Sequence, residues 1–134
     1  MDKEKYYKYM FLFSACYNIL ISSSFIIVSA AMKDLFDDFG VPIPPSMLWL
    51  QLSLVLIIIF GIGYIIVAMD LSQNHGLVII GGISKVMFFI LTLGYYIYDL
   101  SDPSTHLGLS VVLLGGFDIV LVCLFTEFLL NYNK

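Results

Sequence analysis

Lys85, Asp118 and Glu127 are the charged side chains that lie inside the long apolar stretches of this sequence. An ionisable group in hydrocarbon is costly, and one that occurs there usually faces a bundle interior, a partner or a water-filled path. A lysine beside a carboxylate in such a place could bind a polar or anionic ligand, conduct an ion or relay a proton. These three residues are therefore the first candidates for a functional site.

Only one of the two acids is expected to face Lys85. Asp118 and Glu127 are nine residues apart, which at about 100° per residue places them on opposite sides of one helix. At about 1.5 Å per residue, Lys85 lies roughly 12 Å from the membrane surface next to the chain termini, Asp118 roughly 18 Å and Glu127 roughly 4 to 5 Å. Glu127 can reach interfacial water, so we predict that Lys85 pairs with Asp118. The pair either only fixes helix packing or belongs to a ligand site or ion path, with catalysis as a weaker alternative.

Two uncharged polar residues are predicted at similar depth. Ser14, Asn18 and Ser22 recur every four residues and form one polar stripe on a helix. Asn18 lies about 14 Å deep and Tyr64 about 9 Å, and a buried tyrosine hydroxyl needs a partner. We therefore predict one cytoplasm-facing polar cluster of Asn18, Tyr64 and the charged pair, although the serine stripe alone is equally typical of small-residue helix packing.

Catalytic and cofactor motifs are absent from the sequence. It contains no HExxH, GxSxG or P-loop motif and no cysteine–histidine metal cluster. Cys16 and Cys123 show no metal-ligand spacing, and we expect two buried free thiols. The histidines, at positions 75 and 106, stand alone outside the apolar stretches. We expect neither a cofactor nor a metal, and the sequence argues against an enzyme.

The elements that position these residues follow from composition. The chain of 134 residues is 60% hydrophobic and 12% charged, which is typical of a membrane protein. A helix needs about 20 apolar residues to cross the bilayer, and four segments qualify, at approximately 9–32, 47–69, 77–98 and 107–130. The apolar runs are continuous, whereas barrel strands alternate. We predict an all-α, polytopic membrane protein with a single domain, 1–134.

The connections between these segments are short. Short loops join neighbouring helices in opposite directions, so we predict an antiparallel four-helix bundle. In the first loop, KDLFDDFG at 33–40 mixes acidic with apolar residues, which predicts a short interfacial helix lying at the headgroup level.

The lysines predict the orientation of the chain. Three of the six lysines precede the first span and Lys134 follows the last, whereas the loops contain only Lys33. The positive-inside rule then places both termini in the cytoplasm. The net charge of −4 argues against nucleic acid as a partner, since nucleic acid requires a basic surface.

Two functions from different classes remain. The first is binding or transport of a small polar-headed or anionic ligand, such as a lipid, at the cluster of Lys85, Asp118, Asn18 and Tyr64, and it predicts an internal cavity. The second is an accessory or structural membrane subunit in which the charged pair fixes helix packing, and it predicts a tightly packed bundle. A proton path along Glu127, Lys85 and Asp118 is a weaker third hypothesis. The expected partners are membrane lipids and either a second copy of the chain or another membrane subunit.

Overall fold

The computed structural model describes residues 2–31, 47–101 and 109–132, and this part of the chain contains no strand. It forms four helices: α1 (Lys3–Ala31), α2 (Met47–Met69), α3 (His75–Ser101) and α4 (Leu109–Asn131). The all-α prediction is thus confirmed. The interfacial helix predicted at 33–40 lies outside the described residues.

All four helices are long and apolar enough to cross a membrane. The second predicted span, 47–69, has the same bounds as α2, and the third and fourth predicted spans agree with α3 and α4 to within three residues. The continuous apolar runs therefore predicted the bounds of these helices well.

The start of α1 is the largest difference from the predicted spans. The helix begins at Lys3, six residues before the predicted start at residue 9, because the polar first turns are also helical. Lys8 forms an i,i+4 ion pair with Glu4 at 2.9 Å, and Tyr7 packs edge-on against Phe128 of α4 with ring centroids 5.1 Å apart. Packing thus extends the helix beyond its apolar run.

The helices pack mainly as two pairs, α1 with α2 and α3 with α4, and the pairs meet chiefly through α2 and α3. α1 and α2 approach each other closely at Gly61. A Cβ atom there would lie 2.7 Å from Ile19 Cγ1 and 3.2 Å from the Ala15 carbonyl oxygen. The absence of a side chain at Gly61 therefore sets the separation of these two helices.

An aromatic core closes the end of the bundle where α1 begins and α4 ends. Phe11 lies 5.2 Å from Phe125 and 5.0 Å from Phe128 between ring centroids. Tyr64 of α2 lies 5.0 Å from Phe125. These four residues, which we call the aromatic core, are all buried and fill the space between three helices.

Several polar side chains lie inside the bundle beside the aromatic core, and large apolar side chains cover its outer faces. Ser14, Asn18, Ser22 and Lys85 are buried, whereas many of the largest aliphatic side chains on every helix are exposed, including Leu20, Ile59, Ile83 and Leu113. This arrangement suits hydrocarbon as the surrounding solvent. Both cysteines are free and lie on the outer faces, so the expectation that their thiols are buried was wrong; helix register, not apolar character, decides which side they face.

Candidate functional site

Lys85 lies near the middle of α3 and connects three helices. Its ammonium nitrogen Nζ contacts Asp118 Oδ1 on α4 and donates a hydrogen bond of 3.2 Å to Asn18 Oδ1 on α1. The lysine and aspartate side chains are only 6% and 13% exposed. The structure therefore brings together three of the residues that the sequence singled out, Asn18, Lys85 and Asp118.

Two tyrosine rings complete the surroundings of the ammonium group. Nζ lies 5.8 Å from the ring centroid of Tyr17 and 6.0 Å from that of Tyr64. An ammonium within about 6 Å of an aromatic face is attracted by the ring quadrupole. Lys85 thus has an anionic partner, a neutral acceptor and two aromatic faces, which together offset the cost of removing its charge from water.

Tyr64 was expected to find a hydrogen-bond partner, but its hydroxyl is buried and has none among the described residues. The ring packs directly against α3, where a Cβ atom at Gly81 would lie 2.7 Å from Tyr64 Cε1. Gly81 thus provides the space that the ring occupies. An unpaired buried hydroxyl costs about 1–3 kcal/mol, so packing of the ring rather than hydrogen bonding holds Tyr64 here.

A half-enclosed cavity of about 460 Å³ adjoins the charged pair. All four helices contribute to its walls, with Asn18, Lys85 and Asp118 at one end and Phe25 and Leu50 towards the other. Since Phe25 and Leu50 lie farther from the chain termini than the charged pair does, the cavity extends away from the aromatic core. Asn18, Lys85 and Asp118 therefore form the polar floor of a largely apolar cavity.

Ser22 lies in the cavity wall and differs from the other serines there. The hydroxyls of Ser53 and Ser84, which also line the cavity, donate to the carbonyl oxygens of Trp49 and Gly81 at 2.9 and 2.8 Å. The Ser22 hydroxyl is fully buried and has no hydrogen-bond partner among the described residues. It is therefore an unsatisfied buried polar group in the cavity wall.

Glu127 makes its hydrogen bonds with different residues. Its carboxylate oxygens accept hydrogen bonds from the Tyr6 and Tyr7 hydroxyls at 3.4 and 3.5 Å. It thus joins α4 to the first turns of α1 near the chain termini, and the hydrogen bonds of Lys85 go to Asp118 and Asn18 instead.

Sequence reasoning missed Tyr17, and it placed Ser22 in the polar stripe of α1 but not in the predicted cluster. Tyr17 carries no signal of its own, because one aromatic residue in an apolar run is most often a packing residue. The sequence shows that Ser22 shares a helix face with Asn18, but only the hydrogen bonds in the structure show that its hydroxyl has no partner among the described residues.

No metal site accompanies the cluster. Within residues 2–31, 47–101 and 109–132, no group of three histidine, cysteine or acidic side chains is placed to hold a metal ion.

Comparisons of the chain with profiles of protein families, with curated proteins and with solved structures found no match.

Proposed function

We propose that this chain is a multi-pass integral membrane protein whose four helices form an antiparallel bundle. Support for the membrane comes from the exposed aliphatic side chains on all four helices. Support for the antiparallel direction of α1 and α2 comes from their contacts. Gln51 donates to Ser29 Oγ at 3.5 Å, whereas Phe11, near the start of α1, lies 6.4 Å from Tyr64, near the end of α2.

Both chain termini are proposed to face the cytoplasm. The lysines before α1 support this orientation by the positive-inside rule. Trp49, Tyr95 and Tyr98, which are all exposed, lie towards the opposite surface, where an interfacial belt of aromatic residues is expected. Reaction of a cysteine added after Lys134 with a membrane-impermeant maleimide only in inverted vesicles is the expected result; reaction in right-side-out vesicles would reverse the orientation.

The function that the geometry supports best is binding or transport of a small polar-headed or anionic ligand at the cluster of Lys85, Asp118 and Asn18, next to Tyr64. One observation carries this proposal: the cavity has apolar walls and ends on a buried, hydrogen-bonding floor. Small-molecule sites combine these two properties, since the walls supply burial and a few polar groups orient the ligand.

The test is native mass spectrometry of the detergent-extracted protein. The wild type is compared with Lys85→Met and with the doubly neutral variant Lys85→Met/Asp118→Asn, in which neither residue of the pair is left as a charge without its partner. A bound lipid or metabolite in the wild type that is lost from both variants is the expected result. An empty wild-type protein, with the single variant merely less stable, would contradict a binding function.

The second candidate function is that of an accessory or structural subunit. The same contacts support it, because they join three helices. Lys85, Asp118 and Asn18 directly join α3, α4 and α1, and a cluster of this kind can serve only to fix helix register. This alternative is supported if no ligand is found and if the tagged protein co-purifies from its native membrane with another membrane subunit at constant stoichiometry.

A further inference from the structure

We propose that the cavity takes an uncharged, single-chain amphiphile of the monoacylglycerol class, with its glycerol ester headgroup bound by Ser22, Asn18 and Lys85. This inference rests on the ligand-binding function proposed above and defines the chemistry of the ligand. It derives from the charge balance of the cavity, from its unused hydrogen-bonding groups and from its size.

The charge balance favours an uncharged headgroup. Among the described residues that line the cavity, Lys85 and Asp118 are the two charged ones, and they already pair with each other. A carboxylate or phosphate would add a net negative charge beside Asp118, and a cation would add a positive charge beside Lys85. Placing an uncompensated charge in an apolar environment is strongly unfavourable, whereas an uncharged headgroup leaves the existing pair intact.

The unused hydrogen-bonding groups favour a headgroup with both a carbonyl and hydroxyls. An ammonium group has three N–H donors, and Lys85 uses two of them, on Asp118 and Asn18. Asn18 accepts from Lys85 through its carbonyl oxygen, so its amide nitrogen can donate to another group. The Ser22 hydroxyl has no partner among the described residues. These donors match an ester carbonyl, while the second carboxylate oxygen of Asp118 can accept from a glycerol hydroxyl.

The size and walls of the cavity favour one acyl chain. Its volume of about 460 Å³ lies in the lower half of the roughly 300–1,000 Å³ that is usual for small-molecule sites. The walls beyond the polar floor consist mainly of aliphatic and aromatic side chains, among them Ile21, Phe25, Leu54 and Ile57. One chain can lie along these walls, and the half-enclosed shape allows its far end to leave the protein.

The experiment compares three ligands that share one tail: monooleoylglycerol, oleate and oleylamine. Each is titrated into the purified protein in a neutral detergent, and binding is measured by native mass spectrometry and by the shift in thermal unfolding temperature. We expect monooleoylglycerol to bind about tenfold or more tightly than either charged ligand, because only the charged ligands leave a charge without a partner.

Variants locate the headgroup. Loss of one neutral hydrogen bond in Ser22→Ala is expected to weaken monooleoylglycerol binding about 3- to 10-fold. Ser84→Ala is the matched control, since Ser84 lines the same cavity but its hydroxyl is occupied by the Gly81 carbonyl, and we expect it to bind nearly as tightly as the wild type.

Failure of this inference and failure of the proposed function give different results. If oleate or oleylamine binds more tightly than monooleoylglycerol and Lys85→Met/Asp118→Asn abolishes that binding, the cavity is a ligand site but the uncharged ligand class is wrong. If Ser84→Ala weakens binding as much as Ser22→Ala does, the assigned headgroup position is wrong. If none of the three ligands binds the wild type more tightly than the doubly neutral variant, the monoacylglycerol class is wrong. If the wild-type protein extracted from its native membrane is also empty, the ligand-binding function is overturned as well.

Discussion

Single and double neutral variants of Lys85 and Asp118 separate two free-energy costs. The first is the cost of leaving one buried charge without its partner, and the second is the cost of removing the whole ion pair. In Lys85→Met, the Asp118 carboxylate keeps its buried position, 13% exposed, without a cation. In Asp118→Asn, Lys85 keeps its charge with only neutral acceptors. In the double variant both charges are absent, and the side chains retain similar length and shape.

The magnitudes follow from burial. Removing one partner of a buried ion pair costs about 3–5 kcal/mol, whereas replacing the whole pair is often neutral. Lys85→Met also removes the charge-assisted hydrogen bond of 3.2 Å to Asn18, a loss of about 1.5–3 kcal/mol. We therefore expect each single variant to lose about 3–5 kcal/mol of unfolding free energy and the double variant to lose only about 1.5–3 kcal/mol.

The measurement is reversible unfolding of the four proteins in mixed micelles, followed by circular dichroism as the denaturing detergent fraction rises. The double-mutant cycle then gives the coupling between the two sites, which we expect to exceed about 2 kcal/mol. Additive losses, with the double variant less stable than the wild type by the sum of the two single costs, would refute the reasoning that the two buried charges stabilise each other.

Two further predictions concern helix packing and the second acidic residue. Gly61→Ala should destabilise the bundle by about 1–2 kcal/mol, because its Cβ atom would lie 3.2 Å from the Ala15 carbonyl oxygen and the cost of overpacking exceeds the gain in helix propensity. Gly63→Ala is the control, since its Cβ atom would meet nothing within 4 Å. It should be neutral or slightly stabilising in the same unfolding assay. Glu127→Leu should cost about 1–3 kcal/mol, since the hydroxyls of Tyr6 and Tyr7 lose their acceptor, whereas Glu127→Gln keeps an acceptor and should cost less than about 1 kcal/mol. Equal costs at the two glycines, or a loss of ligand binding in Glu127→Gln, would contradict these assignments.

The four helices could be predicted from the sequence because each contains a continuous apolar run, and the length of the run is enough for a helix to cross a membrane. The start of α1 could not be predicted in this way. Residues 3–8 are mostly charged or aromatic, and their helix depends on packing of Tyr7 against Phe128, a contact between opposite ends of the chain.

Depth was sufficient to select Asp118 rather than Glu127 as the residue beside Lys85, because rise per residue is nearly constant in a helix. Depth does not determine which direction a side chain faces. Tyr64 was placed correctly near the ammonium group, at 6.0 Å from its ring, yet its hydroxyl lacks the expected partner. Rotation and packing of neighbouring helices decide such details, and a single sequence carries little information about them.

The two functions proposed for Lys85 are compatible, and the structure gives a reason to combine them. Stability alone does not require a charged pair between α3 and α4, since a well-packed apolar pair of similar volume is often as stable or more stable. Lys85 directs two of its three donors to Asn18 and Asp118 and also lines the cavity. The same ammonium group can therefore hold three helices in register and present a donor to a ligand. Two of the three N–H donors of Lys85 hold the helices, and the third is left for a ligand. We therefore expect Lys85→Met/Asp118→Asn to form a stable bundle with an empty cavity.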